Sequence, residues 1–327
     1  MAADSTTTLS DEAKTFYNRL LLERLLAYCP HLMFADPGRR IVIPGRAGYS
    51  LEWRQFAALS AATTALTQGV TPVGTNASVS AISATPAQYG DYITYTDVLD
   101  MVAIDPILVE YVKMLAEQAG LTLDTVARDV LNAGTNVQYA DAVANRASVA
   151  AANKFDTTEL DKAVRTLEIA NVPKIMDEMG GSYICLIHPN TKYDLRADSG
   201  WKTPDQYAGG MKLYSGEDGR WNGVRILRST NTKVFAGAGD SGIDVYSSLV
   251  MGQHYFGTGK WEDNTGGQKM MSGAPGSSEV VEFFVKPLGS AGSSDPLNQR
   301  GTVGWKVSNI VKRLNENCAV RIEHAVS

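Results

Sequence analysis

The sequence has few of the residues that most catalytic and metal sites require. Its 327 residues include four histidines and three cysteines, and no CxxC pair is present. An odd and scattered cysteine set argues against a disulfide framework or a zinc cluster and favours a reducing compartment. No run of about 18 apolar residues occurs, so we expect no membrane span. The opening MAADSTTTLSDEA is polar and acidic, unlike a secretory signal peptide.

Charge is also scarce and nearly balanced. The net charge of -5 gives no general attraction to nucleic acid or to acidic membranes. The stretch from Lys286 onward is more basic, with six Lys or Arg residues against three Asp or Glu residues. Two interpretations of this stretch stay open: a solvated strand face, or a surface that faces a polyanion.

What the sequence does contain is a long amphipathic segment from Asp105 to Asn132. Asp105 is a good N-cap, and Pro106 suits the first helical position. Steps of three and four residues place one apolar stripe on a helix, formed by Leu108, Val112, Leu115, Ala119, Leu123, Val126 and Val130. At about 1.5 Å per residue the helix over 106–132 would be about 40 Å long. It could be a core helix of a globular enzyme or a spine that crosses a sheet.

Residues 41–97 have an unusual composition. Their only charged residues are Arg46, Glu52, Arg54, Asp91 and Asp97. Both ends are rich in β-branched and aromatic residues, whereas the middle is Thr-, Ser- and Ala-rich and is broken by Gly and Pro. These features predict an extended two-stranded loop with about 16 residues per side, about 50 Å long at about 3.3 Å per residue. A lone hairpin is marginal in water, so we expect another molecule to cover it.

The remaining segments predict a mixed α+β fold. A helix from Ser10 should be apolar on one side, and a second helix should start at Asp156 or Thr157 with Leu160, Val164, Leu167 and Ile169 facing inward. YICLI is predicted to be a buried strand, and GVRILRS, VFAG, DVYSSLVMG and EVVEFFVKP are predicted to be short strands. Val303, Trp305 and Val307 alternate on one face of a closing strand, as do Val320 and Ile322 in the last strand.

Three features suggest chemistry at first sight, and each has a simpler explanation. Gly237 to Gly242 matches GxGxxG, but a strand-like segment follows instead of the helix that a dinucleotide site needs. His188 before Pro189 fits a turn histidine that caps a helix better than a catalytic base. Cys185 within YICLI is expected to be a buried, unreactive thiol. Motifs for nucleophilic serine, zinc, calcium and phosphate sites are absent.

The order of these parts resembles the major capsid proteins of tailed bacteriophages, with their Hong Kong 97-type fold. LEWRQFAALSAATTALTQGVTP resembles one side of that family's E-loop, ATPAQYGDYITYTDVLDM its return, and DPLNQRGTVGWKV the closing peripheral strands. The resemblance implies an N-arm at 1–40, an E-loop at 41–96, a peripheral domain at 97–175 and 286–327 with a spine helix at 106–132, and an inserted axial domain at 176–285.

The resemblance implies a structural protein without enzymatic activity, cofactor or metal. Copies would assemble as hexamers and pentamers into an icosahedral head that encloses double-stranded DNA, and the head would then expand. Further implied partners are a separate scaffolding protein, a portal and a decoration protein, with assembly in the host bacterial cytoplasm and a place in the virion. An encapsulin-like shell around protein cargo is the alternative. An α/β enzyme and a trimeric fibre or decoration protein fit the sequence less well.

The resemblance places function in subunit contacts. Trp53, Tyr89 and Tyr92 are expected to be rigid interface anchors, as is Tyr95, because large aromatic side chains dominate interface energies. Arg46, Glu52 and Arg54 are the charged residues that the loop can pair with a neighbour. Some capsid proteins cross-link through an E-loop lysine, but this chain has no lysine between Arg40 and Asp105, so we expect no such bond. With about 40 residues before the loop, we expect the scaffold to be a separate protein.

Overall fold

The computed structural model describes most of the chain beyond the first 38 residues. It covers residues 39–43, 50–57, 59–66, 68, 69, 71, 74–102, 107–175, 181–198, 200, 201, 217–261, 282–290 and 295–327, with the backbone alone at 39–43, 100, 217, 260, 261 and 282. The predicted helix from Ser10 lies outside the described residues, as does Arg46.

In the part of the chain that the structure describes, four α-helices and fourteen strands form an α+β architecture. The helices are α1 (Asp97–Val102), α2 (Ile107–Asn132), α3 (Thr157–Ile169) and α4 (Pro189–Ala197). The strands are β1 (Arg39–Ile43), β2 (Leu51–Phe56), β3 (Val79–Ala84), β4 (Ala87–Thr96), β5 (Val137–Tyr139), β6 (Tyr183–Ile187), β7 (Glu217–Trp221), β8 (Val224–Arg228), β9 (Val234–Phe235), β10 (Val245–Met251), β11 (Phe256–Trp261), β12 (Glu282–Lys286), β13 (Arg300–Arg313) and β14 (Ala319–His324). None of the described helices combines the length and apolarity of a membrane span.

The strands form two large sheets and one hairpin. The five-stranded sheet has the order β1-β11-β13-β12, and β4 also pairs with the long strand β13. The seven-stranded sheet has the order β5-β14-β10-β6-β8-β7, with β9 paired to β10. The hairpin contains only β2 and β3, whose ladder runs from Leu51–Ala84 to Phe56–Val79. The paired part is therefore six residues long on each side, much shorter than the predicted arm.

The long helix α2 connects the two cores. Its first two-thirds bury Val112, Leu115 and Leu123 against β4 and β13, where Trp305 packs in the same cluster. Its last turns place Ala127 and Leu131 in the core of the seven-stranded sheet. The helix crosses the sheet at β4 and β13, but the predicted apolar stripe is wrong at its end. Val126 and Val130 are only half-buried there because the helix has passed from one core to the other.

Some of the other predicted elements agree with the structure and others differ from it. Asp156 caps α3 by accepting a hydrogen bond from the Glu159 amide, as predicted. Ile169 was expected to face inward but is 74% exposed, because the helix ends there and the chain turns away. The buried strand YICLI is confirmed as β6. In β13 the side chains of Val303, Trp305 and Val307 are buried on one face, as the alternation predicts.

The predicted division into N-arm, E-loop, peripheral domain and axial domain stays a prediction. The sheets follow a different boundary, as two strands illustrate. Strand β11 lies in the predicted axial region but pairs with β13 in the five-stranded sheet. Strand β14 lies in the predicted peripheral region but pairs with β10 in the seven-stranded sheet. All six β14 residues are buried, so it is a central strand rather than a half-exposed one.

Candidate subunit interface

The hairpin projects from the body with most of its surface uncovered. Between Arg54 and Asp91 the sequence has no charged residue. Nearly all the described side chains from 54 to 81 are exposed nonetheless. Phe56 is 71% exposed and lies opposite Val79 in the ladder. Leu59 and Leu66 are also exposed. Exposed apolar side chains that lie side by side, as Phe56 and Val79 do, favour a surface that another molecule covers.

Of the six residues expected at the interface, Trp53 lies inside its own chain. Its side chain is 4% exposed and packs with Ile310, Leu51, Ala84 and Leu314. This burial leaves the indole almost no surface to offer a neighbour. Trp53 therefore anchors the hairpin to its own body, and the sequence could not reveal this because Ile310 and Leu314 lie far along the chain.

The two described charges of the hairpin contact each other. The Arg54 Nε lies 3.0 Å from the Glu52 Oε1, on the solvent side of β2. Both side chains are substantially exposed, so the pair adds little to stability. Their role toward a neighbouring copy stays a prediction.

The tyrosines of β4 point to opposite faces of the sheet. Tyr89 and Tyr95 face the long helix; Tyr95 is buried and Tyr89 is half-buried. Tyr92 is 68% exposed on the other face, directly across from Gly304. Phe284, from the other strand beside β13, also lies opposite Gly304 and is exposed. Tyr92 is therefore the one β4 tyrosine with a large surface free for a partner, and Phe284 joins it.

A second apolar patch was missed by sequence reasoning. Val98, Met101 and Val102 on α1 are strongly exposed, as is Leu297 in the loop before β13. The amide of Asp97 donates to the carbonyl of Gln299, which places α1 beside that loop. The run DVLDMV was the available indication, since so apolar a helix would normally be buried.

Polar contacts hold the long helix rigidly over both sheets. The Gln118 side chain donates to Asp91 on β4 over 2.6 Å and accepts from the Trp305 indole on β13 over 3.1 Å. The hydrogen bond from Gln118 is the largest cause that lowers the pKa of Asp91. Near the other end, Asn231 donates to Asp124 over 2.6 Å and accepts from Arg128 over 2.7 Å. These hydrogen bonds join α2 to β4 and β13 near one end and to the loop after β8 near the other.

The basic C-terminal residues do not form one surface. Arg313 donates to the carbonyl of Val130, and Arg321 pairs with buried Glu323 over 2.9 Å, so both are used within the fold. Lys286 and Lys306 project from the sheet face opposite the long helix, by the pairing register. Two of the six basic residues are therefore not available to a surface that faces a polyanion.

The groups that suggested chemistry have structural roles. The segment from Gly237 to Gly242 is a turn that precedes strand β10, so the nucleotide interpretation is wrong. His188 caps α4 by accepting from the Asn190 amide. Cys185 is fully buried, and burial raises the pKa of its thiol. Within the described residues no group of metal-ligating side chains comes together.

The buried pair His324 and Ser248 resembles a catalytic dyad. His324 Nε2 lies 2.9 Å from Ser248 Oγ, and His324 Nδ1 lies 2.9 Å from the Ala325 carbonyl. Both side chains are fully buried, so no substrate reaches the serine. Burial lowers the pKa of His324 to about 4. The pair fixes β14 to β10, its neighbour in the sheet.

Comparison with known proteins gives the fold a context. Residues 99–252 match a family model described as phage capsid protein. The capsid of Ralstonia phage GP4 is 13% identical with a TM-score of 0.68, over 91% of this chain and 88% of that chain. The capsid of cyanophage Pam1 is 14% identical with a TM-score of 0.67, over 91% and 92%. That of cyanophage P-SCSP1u is 15% identical with a TM-score of 0.62, over 89% and 88%.

An encapsulin structure shares the fold as well. The holo-SrpI encapsulin complex from Synechococcus elongatus is 9% identical with a TM-score of 0.56, over 100% of this chain and 92% of that chain. No curated protein matches this sequence. At such identities the structural likenesses establish the fold, and they confirm the predicted α+β architecture of the Hong Kong 97 type.

Proposed function

We infer that this protein is a phage major capsid protein, a structural subunit whose copies assemble into a shell. The observation that carries this conclusion is the hairpin with its exposed Phe56, Val79, Leu59 and Leu66, on a fold shared with phage capsids. A surface of this kind on a soluble chain needs a cover. In a closed shell, the hairpin of each copy is covered by the next copy. This is possible because head-to-tail contacts that form a closed assembly use the same two surfaces on every subunit.

The finer arrangement is our proposal. Copies form hexamers and pentamers of an icosahedral head, with double-stranded DNA inside. Residues 41–96 act as an E-loop over a neighbouring copy, with residues 1–40 as an N-arm. The peripheral domain (97–175 and 286–327) and the axial domain (176–285) provide the wall. Many weak contacts, each repeated around the shell, add up to a stable particle by multivalency.

The partners follow from the same proposal. A separate scaffolding protein guides assembly in the host cytoplasm, a portal occupies one vertex, and a decoration protein is a further partner. Glu52, Arg54 and Tyr92, with Arg46 and half-buried Tyr89, are the proposed contact residues. Because no lysine lies between Arg40 and Asp105, the loop forms no isopeptide bond of the lysine type. The protein has no enzymatic role.

A second candidate keeps the shell and changes its contents. The likeness to an encapsulin over the full length of this chain favours a nanocompartment that encloses protein. The phage function is better supported, because the family match over residues 99–252 is to phage capsid proteins.

The experiment is electron microscopy of purified particles, followed by analysis of their contents. Particles purified from phage-producing cells should be closed shells with nuclease-resistant double-stranded DNA. Closed shells that hold an enzyme instead of DNA would favour the nanocompartment. A protein that stays monomeric with and without a scaffolding protein would contradict both candidates.

A further inference from the structure

Within the described residues, the hairpin β2–β3 packs against its own body at its root. Three cross-strand pairs face the body, and burial is greatest in the middle pair, at Trp53. Leu51 and Ala84 pack against the body at the base, and Trp53 is buried next along the strand. The following pair, Gln55 and Ser80, is already exposed. The contact between the hairpin and the body therefore ends at Trp53.

Trp53 occupies a notch that only glycine leaves open. A Cβ added to Gly257 on β11 would lie 2.7 Å from both Cε2 and Nε1 of the indole and 2.9 Å from its Cζ2. Such distances are far below ordinary contact, so any larger residue at 257 would displace the ring. The indole Nε1 is buried and finds no acceptor in the described part of the chain. The ring is thus held by the shape of the notch rather than by a directional bond.

Beyond Trp53 a cavity separates the hairpin from the body. Its volume is about 450 Å³, and its walls are Gln55 and Phe56 on the hairpin side and Asn171, Pro173 and Asn317 on the body side. The paired strands extend about 10 Å past Trp53, at about 3.3 Å per residue. No packed side chains fill this space, so the angle of the hairpin depends on its root.

We propose that Trp53 is a positioning residue: seated over Gly257, it sets the angle at which the hairpin leaves the body, and this angle selects the closed shell that the copies form. The inference rests on the proposed function and adds the residue that controls shell geometry. A small rotation at Trp53 is amplified at the loop beyond Phe56 and Val79. The curvature of the shell then depends on one side chain and one glycine.

The test makes residue 257 larger and then makes residue 53 smaller to compensate. Gly257→Ala should push the indole out of its notch, so that the protein forms no shells or shells of altered diameter. Adding Trp53→Phe to Gly257→Ala removes ring atoms that would clash and should restore shells of wild-type diameter. Ala152→Ser is the matched control, because it also adds one heavy atom, at an exposed position outside residues 41–96, and should leave the shells unchanged.

Shell diameter is measured by negative-stain microscopy and sedimentation, and urea unfolding of the unassembled protein reports folding. Wild-type shells from Gly257→Ala would overturn the inference, as would a double variant that folds but does not recover shells. If Gly257→Ala fails to fold, Trp53→Ala decides: shells of mixed diameter support the inference, and uniform wild-type shells contradict it. If the wild-type protein forms no shells, the proposed function itself fails.

Discussion

The buried His324 should make the folded subunit sensitive to mild acid. Its ring lies between Phe155 and Tyr246, with centroid distances of 5.2 and 6.4 Å. Its Nδ1 donates to the Ala325 carbonyl, so the neutral ring accepts the Ser248 hydroxyl at Nε2. A second ring proton would meet that hydroxyl in a fully buried site, and desolvation is the main cause of the lowered pKa.

The size of the stability change follows from the shift in the pKa of His324. Burial lowers the pKa of His324 from 6.5 to about 4, while Asp194 and Glu323 raise it less and His188 lowers it slightly. Between these values the unfolded chain binds a proton that the folded chain does not, so stability falls as the pH falls. From pH 7 to pH 5 this group removes about 2 kcal/mol of unfolding free energy, and the loss levels off below about pH 4.

The assay is urea unfolding of the unassembled protein at pH 7 and at pH 5. His324→Gln is the control, because it removes the titrating group and leaves the other acids and bases unchanged. The variant should be less stable at pH 7, since the hydrogen bond to Ser248 or to Ala325 is weakened. Its loss between pH 7 and pH 5 should be about 2 kcal/mol smaller than that of the wild type. Equal losses in both proteins would refute the reasoning.

Three further predictions test other parts of the structure. Leu131→Ala should reduce the unfolding free energy by about 2–5 kcal/mol in urea, since Leu131 is fully buried where α2 enters the second core; a loss below about 1 kcal/mol would contradict that packing. Phe56→Asp should abolish shells while leaving the subunit folded, whereas Tyr193→Asp, equally exposed but on α4, should not; equal effects would argue against the hairpin as an interface. Mature particles boiled in denaturant should run as single chains on a gel, and a ladder of covalent multimers would contradict the absence of cross-links.

The elements that depend on local pattern were predictable. The long helix was predictable because its apolar periodicity and its end signal both lie within one continuous segment. Strand β6 and the cap at Asp156 were predictable because they too depend on neighbouring residues in the sequence. The end of the long helix's apolar stripe was not predictable. Ala127 and Leu131 are buried by a sheet whose strands come from distant parts of the chain, so the local pattern at Val126 and Val130 was no guide.

The contact residues show the same limit. The sequence indicated that residues 41–97 need a cover, and the exposed Phe56 and Val79 agree with this. It could not indicate that Trp53 is already covered, because the notch depends on Gly257 in a strand about 200 residues away. The patch around Met101 was missed because α1 is too short for periodicity to show which side faces outward.

The central claim is that neighbouring copies cover the hairpin, and amide hydrogen exchange over residues 51–84 tests it most directly. The measurement compares the assembled particle with the unassembled subunit under the same conditions. We predict much slower exchange of these amides in the particle, with little change in the cores around Leu131 and Ile226. Equal exchange of residues 51–84 in both states would contradict the claim.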